Sequence, residues 1–201
     1  MRTERGLHRL VSFVDAVVAI AITLLVLPLI DLLADREDDD LGALLGDHLV
    51  DFAAFALSFV VIARLWLVHH RLVEWVGCYD AAFTTLSLLW AFTIVFLAFA
   101  TQVIADFGSV RLSVALYVGT MTVSSVASTL LFALVHRRAA LRREGVRAAD
   151  VPLVPGLVTT GLIVLALVLG VTFRSVNFLA LLLLFLGGPV EALVGRLRRR
   201  G

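Results

Sequence analysis

Apolar residues run along this chain in long blocks separated by short charged breaks, and six of the blocks reach the roughly 20 residues a helix needs to cross the hydrocarbon core of a bilayer. They fall near residues 10–33, 47–70, 80–105, 110–135, 153–173 and 176–195. The first block differs from the rest. Arg9 and Asp15 stand at its entry, where an unpaired charge is expensive and demands a partner. Beyond Asp15, the positions Ile20, Leu24 and Leu27 follow an i, i+4, i+7 spacing, which places three apolar side chains in one narrow stripe. Thr23 flanks that stripe. The pattern predicts a seam turned toward an axis where copies of this helix meet, with the polar entry anchoring the helix to its neighbour. Pro28 interrupts the block near its far end and predicts a bend.

The second block ends in Trp66, His69, His70 and Arg71. Because successive spans run in opposite directions, these residues reach the depth of Arg9 and Asp15. Asp15 projects about 120° or more away from the Ile20/Leu24/Leu27 stripe on an ideal helix, so it points at neighbouring helices. The Trp66 indole, His69 and His70 can donate to it. We therefore expect a network centred on Asp15 that fixes the rotation of the first helix. A metal site is a poor alternative, since adjacent histidines diverge on a helix and no further ligand joins them. Thr84, Thr85, Ser87, Thr93, Thr101 and Gln102 in the third block, and Gly119, Ser124, Ser125 and Ser128 in the fourth, read as helix-packing groups. The last two blocks carry almost no ionisable residue and read as scaffold.

An apolar fraction of 61% and a mean hydropathy of +1.02 over 201 residues place the chain among integral membrane proteins. All 17 basic residues are arginine, and their distribution orients the spans. Arg2, Arg5 and Arg9, the group from Arg137 to Arg147, and the group from Arg196 to Arg200 share one side of a six-span arrangement. The positive-inside rule then puts both termini in the cytoplasm. The basic, apolar start is read as a retained first span, since no small-residue cleavage site follows it. Cys78 is the one cysteine, which excludes an intramolecular disulfide and a thiolate cluster. The acidic run Asp35 to Asp40 lacks the spacing of a calcium loop; it is a solvated loop or, alternatively, a concentrator of cations near a pore mouth. The arginine-rich connection between the fourth and fifth blocks suits anionic headgroups. No recognition module for nucleic acid accompanies it.

The residues resemble a known group, the transmembrane protein 175 family of potassium channels, in its short prokaryotic form. The family's first-helix signature, Arg-x-x-x-Phe-Ser-Asp followed by a run like Ala-Ile-Ala-Ile-Thr-Leu-Leu-Val-Leu, stands here as Arg9, Phe13, Val14 and Asp15 and then Ala19 to Leu27. The second-span ending from Trp66 to Leu72 and the stretch Ala98-Phe99-Ala100-Thr101 are also similar. Val14 replaces the family serine, which removes one hydroxyl from the polar network. The resemblance implies an all-α subunit of six transmembrane helices, assembled as a homotetramer around the first helix in a prokaryotic cell membrane. It also implies a pore lined by Ile20, Leu24 and Leu27, with Thr23 as a polar layer. Arg9, Phe13, Asp15, Trp66, His69 and His70 form the structural network in this reading.

The chain lacks a Thr-Val-Gly-Tyr-Gly filter, so a ring of backbone carbonyls is not the basis of selection. The expected function is a potassium-permeable channel with a hydrophobic constriction on the first helix and moderate preference over sodium. Its partners are the bilayer and permeant monovalent cations, with no cofactor and no bound metal. The alternative is a proton-coupled carrier in which Asp15 and His69 or His70 alternate protonation. A third possibility is a non-conducting assembly protein. Enzymatic chemistry is not expected, because the chain has no phosphate loop and no nucleophile elbow.

Overall fold

The computed structural model describes residues 4–34, 41–108 and 110–172. Seven α-helices run through them: α1 (Glu4–Leu24), α2 (Leu27–Ala34), α3 (Leu41–Asp47), α4 (Leu49–Glu74), α5 (Ala81–Phe107), α6 (Arg111–Arg137) and α7 (Val154–Thr172). Four stretches are long and apolar enough to cross a membrane: Glu4–Leu32 across α1 and α2, then α4, α5 and α6. The fifth expected span corresponds to α7, whose apolar portion Val154–Gly170 is shorter. The sixth expected span, 176–195, and the acidic run at 35–40 lie outside the described residues.

The first expected span departs from a single helix. Leu25 and Val26 form a turn between α1 and α2, and their amides bond back three residues, to Ile22 and Thr23 at 3.3 Å each. Pro28 explains the break. It has no amide to donate to Leu24, and its ring crowds the preceding turn, so it is tolerated only near the start of a fresh helix. Leu27 therefore lies beyond the break from Ile20 and Leu24. At the other end α1 begins at Glu4, earlier than the sequence pattern suggested, because Leu7 has an apolar site to fill beside Leu72, Tyr79 and Phe83.

α6 is the most enclosed of the long helices and packs between α5 and α7, while α1 lies against α5 and α4. Val14, Val18 and Ala21 of α1 enter a core with Ile62, Trp90, Leu97, Tyr117 and Met121. A polar layer crosses that core. The Thr101 hydroxyl donates to Ser58 at 2.8 Å, and the Ser58 and Tyr117 hydroxyls lie 3.1 Å apart, tying α4, α5 and α6 together. Each of the three is buried, so their mutual bonding removes a desolvation cost that lipid-facing packing alone leaves standing.

The end of the bundle that carries the α4–α5 and α6–α7 connections is clasped by backbone. Gly77 donates to the Leu141 carbonyl at 2.9 Å, Arg143 to the Trp75 carbonyl at 2.8 Å, and Val76 and Arg142 form an antiparallel bridge. Asp80 caps α5 by accepting from the Phe83 amide at 2.8 Å, and it also pairs with Arg138. The amide bond, reinforced by Arg138, holds its carboxyl below the usual carboxylate range. A side-chain carbon added at Gly77 comes within 2.9 Å of the Arg143 backbone. Replacing Gly77→Val is expected to lower stability by about 1–3 kcal/mol, measured as a fall in melting temperature by circular dichroism in detergent; an unchanged melt contradicts the clasp.

Candidate functional site

The expected polar residues meet where α1 passes α4. The Trp66 indole donates to an Asp15 carboxylate oxygen at 2.9 Å, a charge-assisted bond between two partly buried groups. The His70 ring lies against Trp66, with centroids 5.2 Å apart. His69 takes a different position. It is buried, stacks on Trp90 at 4.3 Å, and has no hydrogen-bond partner on either ring nitrogen among the described residues. Because His69 and His70 are adjacent, about 100° of helix rotation separates them, so one ring enters the α4–α5 contact while the other follows Trp66.

Arg9 and Phe13 are not drawn toward Asp15. Both are exposed on the subunit, and Arg9 makes no ion pair with Asp15 among the described residues. Helical geometry gives the reason. Arg9, Phe13, Ile20 and Leu24 fall within about 60° of one another around α1, whereas Asp15 lies about 140° or more from Ile20 and Leu24. The buried row Val14, Val18 and Ala21 lies between them. Thus α1 presents Asp15 to α4, a small apolar row to α5, and a third face to its surroundings.

That third face is apolar. Ile20 is 59% exposed, Leu24 43% and Leu27 49%. Thr23 is exposed too, and its hydroxyl is satisfied by the Ile20 carbonyl at 2.8 Å. No group of three or more histidine, cysteine or acidic side chains suited to a metal occurs among the described residues. The Ser58–Thr101–Tyr117 layer was not legible as a unit. Tyr117 inside an apolar block was its one sequence signal, since a tyrosine there requires a partner for its hydroxyl.

The family described as endosomal/lysosomal potassium channel TMEM175 matches residues 9–97, the stretch that contains both the α1 signature and the Trp66 to Leu72 ending. Over that stretch the chain is similar to the TMEM175 family. A potassium channel of Streptomyces collinus is 34% identical over 101 residues, covering 49% of this chain and 48% of that relative. The mouse endosomal/lysosomal proton channel TMEM175 is 27% identical over 137 residues, 65% of this chain and 27% of its own length. The chain thus spans about half or less of the length of these curated relatives. Among solved structures, a homolog from Chamaesiphon minutus of the lysosomal potassium-selective channel TMEM175 superposes with a TM-score of 0.72 at 25% identity, covering 98% of this chain and 100% of the other. The potassium channel MtTMEM175 shares the fold, with a TM-score of 0.60 at 18% identity. The chain is accordingly a membrane protein of prokaryotic type whose described residues form an all-helical bundle.

Proposed function

We propose that this chain is a TMEM175-type channel subunit, one of four in a homotetrameric, potassium-permeable channel of six spans per subunit, with α1 at the shared axis. The observation that carries the reading is the third face of α1. Ile20, Leu24 and Leu27 stay exposed on the subunit while the helix's other faces are committed to α4 and α5 by Asp15 and by the Val14, Val18 and Ala21 row. Exposure to acyl chains is also compatible with apolar side chains, so the similarity to the TMEM175 family and the relatives' names as channels supply the preference for a pore. Four copies of Ile20 and Leu24 then form a constriction that excludes water when narrow. Arg9 and Phe13, on the same face, meet neighbouring subunits.

Selection follows from dehydration. An apolar ring offers an ion no replacement for its water shell, and potassium sheds water at lower cost than sodium. The expected preference is moderate, because no site of matched oxygen ligands is involved. Asp15, Trp66 and His70 act as the anchor that sets the angle of α1. The carrier alternative draws less support: Asp15 is bonded by Trp66, and His69 stacks on Trp90 instead of meeting the acid.

The test is ion flux into proteoliposomes holding the full chain. Potassium uptake is expected to follow its electrochemical gradient without a pH gradient, to exceed sodium uptake, and to accompany a four-copy mass in detergent. Flux that saturates and requires a proton gradient selects the carrier instead.

A further inference from the structure

Between α4, α6 and α7 the bundle leaves a groove of about 280 Å³. α4 and α7 scarcely touch, so the groove opens sideways toward lipid. Its walls are mainly apolar, with Val68 from α4, Phe132 from α6 and Leu162 from α7 among them. Two cations also line it, Arg64 and Arg71. They are seven residues apart on α4, hence on one face and about 10 Å apart along the axis. Both are exposed, and neither forms an ion pair among the described residues. Ser128, 7% exposed, lines the same groove with a buried hydroxyl that has no partner there. An apolar trough with one unneutralised guanidinium, Arg71, in the last turn of α4 and a second, Arg64, about 10 Å further along is not complementary to neutral hydrocarbon alone.

We infer that this groove is a binding site for one anionic phospholipid of the cytoplasmic leaflet. The acyl chain lies along Val68, Phe132 and Leu162, and the phosphate is held by Arg71, with Arg64 extending along the groove toward the same headgroup. Charge complementarity favours this occupant. Arginine pairs bidentately with phosphate oxygens, and long basic side chains reach the interface while their stems stay in apolar surroundings. The site is separate from the exposed face of α1 and stands whether or not that face conducts ions.

The full-length protein, reconstituted in vesicles of phosphatidylcholine with a trace of phosphatidylglycerol bearing a photoreactive acyl chain, tests this by cross-linking and peptide mapping. Label is expected on α4, α6 and α7 peptides, with competition by unlabelled phosphatidylglycerol but not by phosphatidylcholine. Each arginine near the membrane surface contributes roughly fivefold in affinity to an anionic lipid, so Arg64→Gln with Arg71→Gln is expected to weaken labelling by about 25-fold. The paired lysine replacements retain most of it. Leu162→Trp fills the groove without altering charge and is expected to abolish labelling, which keeps the test decisive if the glutamine pair does not fold. Equal competition by both lipid classes, labelling indifferent to the arginines, or labelling unaffected by Leu162→Trp overturns the assignment.

Discussion

Ile20→Asn and Leu24→Asn are each expected to open a standing leak and to bring potassium and sodium permeability toward equality. In the proposed tetramer either replacement would install four amides at one level of the axis, where four apolar side chains would otherwise leave water nothing to bond. A wetted ring lets ions pass with part of their shell in place, which erases the difference in dehydration that separates potassium from sodium. Every 1.4 kcal/mol taken off the barrier is about a tenfold gain in rate, so even partial wetting gives a large increase in conductance. Leu27→Asn is expected to act less, because the turn at Leu25 and Val26 separates that residue from the regular part of α1. Single-channel recording in planar bilayers measures both quantities. Wild-type conductance and selectivity in both asparagine variants would remove the pore from this face.

Trp66→Phe is expected to cost about 1.5–3 kcal/mol in stability, the range for a hydrogen bond to a charged group, and to reduce flux. The phenyl ring keeps most of the packing but cannot donate, so the Asp15 carboxylate loses its bond without gaining water. Asp15→Asn is the milder change, since an amide oxygen still accepts from the indole. Asp15→Ala removes the acceptor and leaves the Trp66 indole N–H without its bond. A double-mutant cycle between Trp66→Phe and Asp15→Ala isolates the pair, and a coupling energy indistinguishable from zero contradicts the clamp. The functional consequence follows from position. α1 carries the candidate pore face and the Asp15 contact on opposite sides, so a loss of the anchor frees the helix to rotate and misaligns Ile20 and Leu24.

Both outcomes rest on features with different visibility in the chain. The long helices α4, α5 and α6 could be bounded from the sequence because each is a nearly unbroken apolar run and turn groups separate them: Gly77 and Asp80 between α4 and α5, Gly108 between α5 and α6. The Asp15–Trp66 contact could be anticipated from depth, since an acid at a span entry must find a donor on the antiparallel neighbour. The division of the two histidines could not. Their sequence positions differ by one residue, and only the rotation of α4 against α5 sends His69 onto Trp90 while His70 follows Trp66.

Arg9 and Phe13 illustrate the same limit from the other side. Adjacency in the signature suggested that they join Asp15, yet spacing around α1 puts them with Ile20 and Leu24. The break at Leu25 was foreshadowed by Pro28 but displaced from it, because a proline acts on the turn before its own ring.

The sequence by itself determined that the chain lives in a bilayer as a helical bundle, and that its first helix is the exceptional one. Hydrophobic run length and the price of a buried acid are local properties, set before any packing occurs. The tertiary structure decided which donor Asp15 takes, which histidine is buried, and that α4 and α7 part to leave Arg64 and Arg71 along an open groove. Those outcomes depend on the relative rotation and tilt of packed helices, and such angles emerge from many side chains interlocking at once.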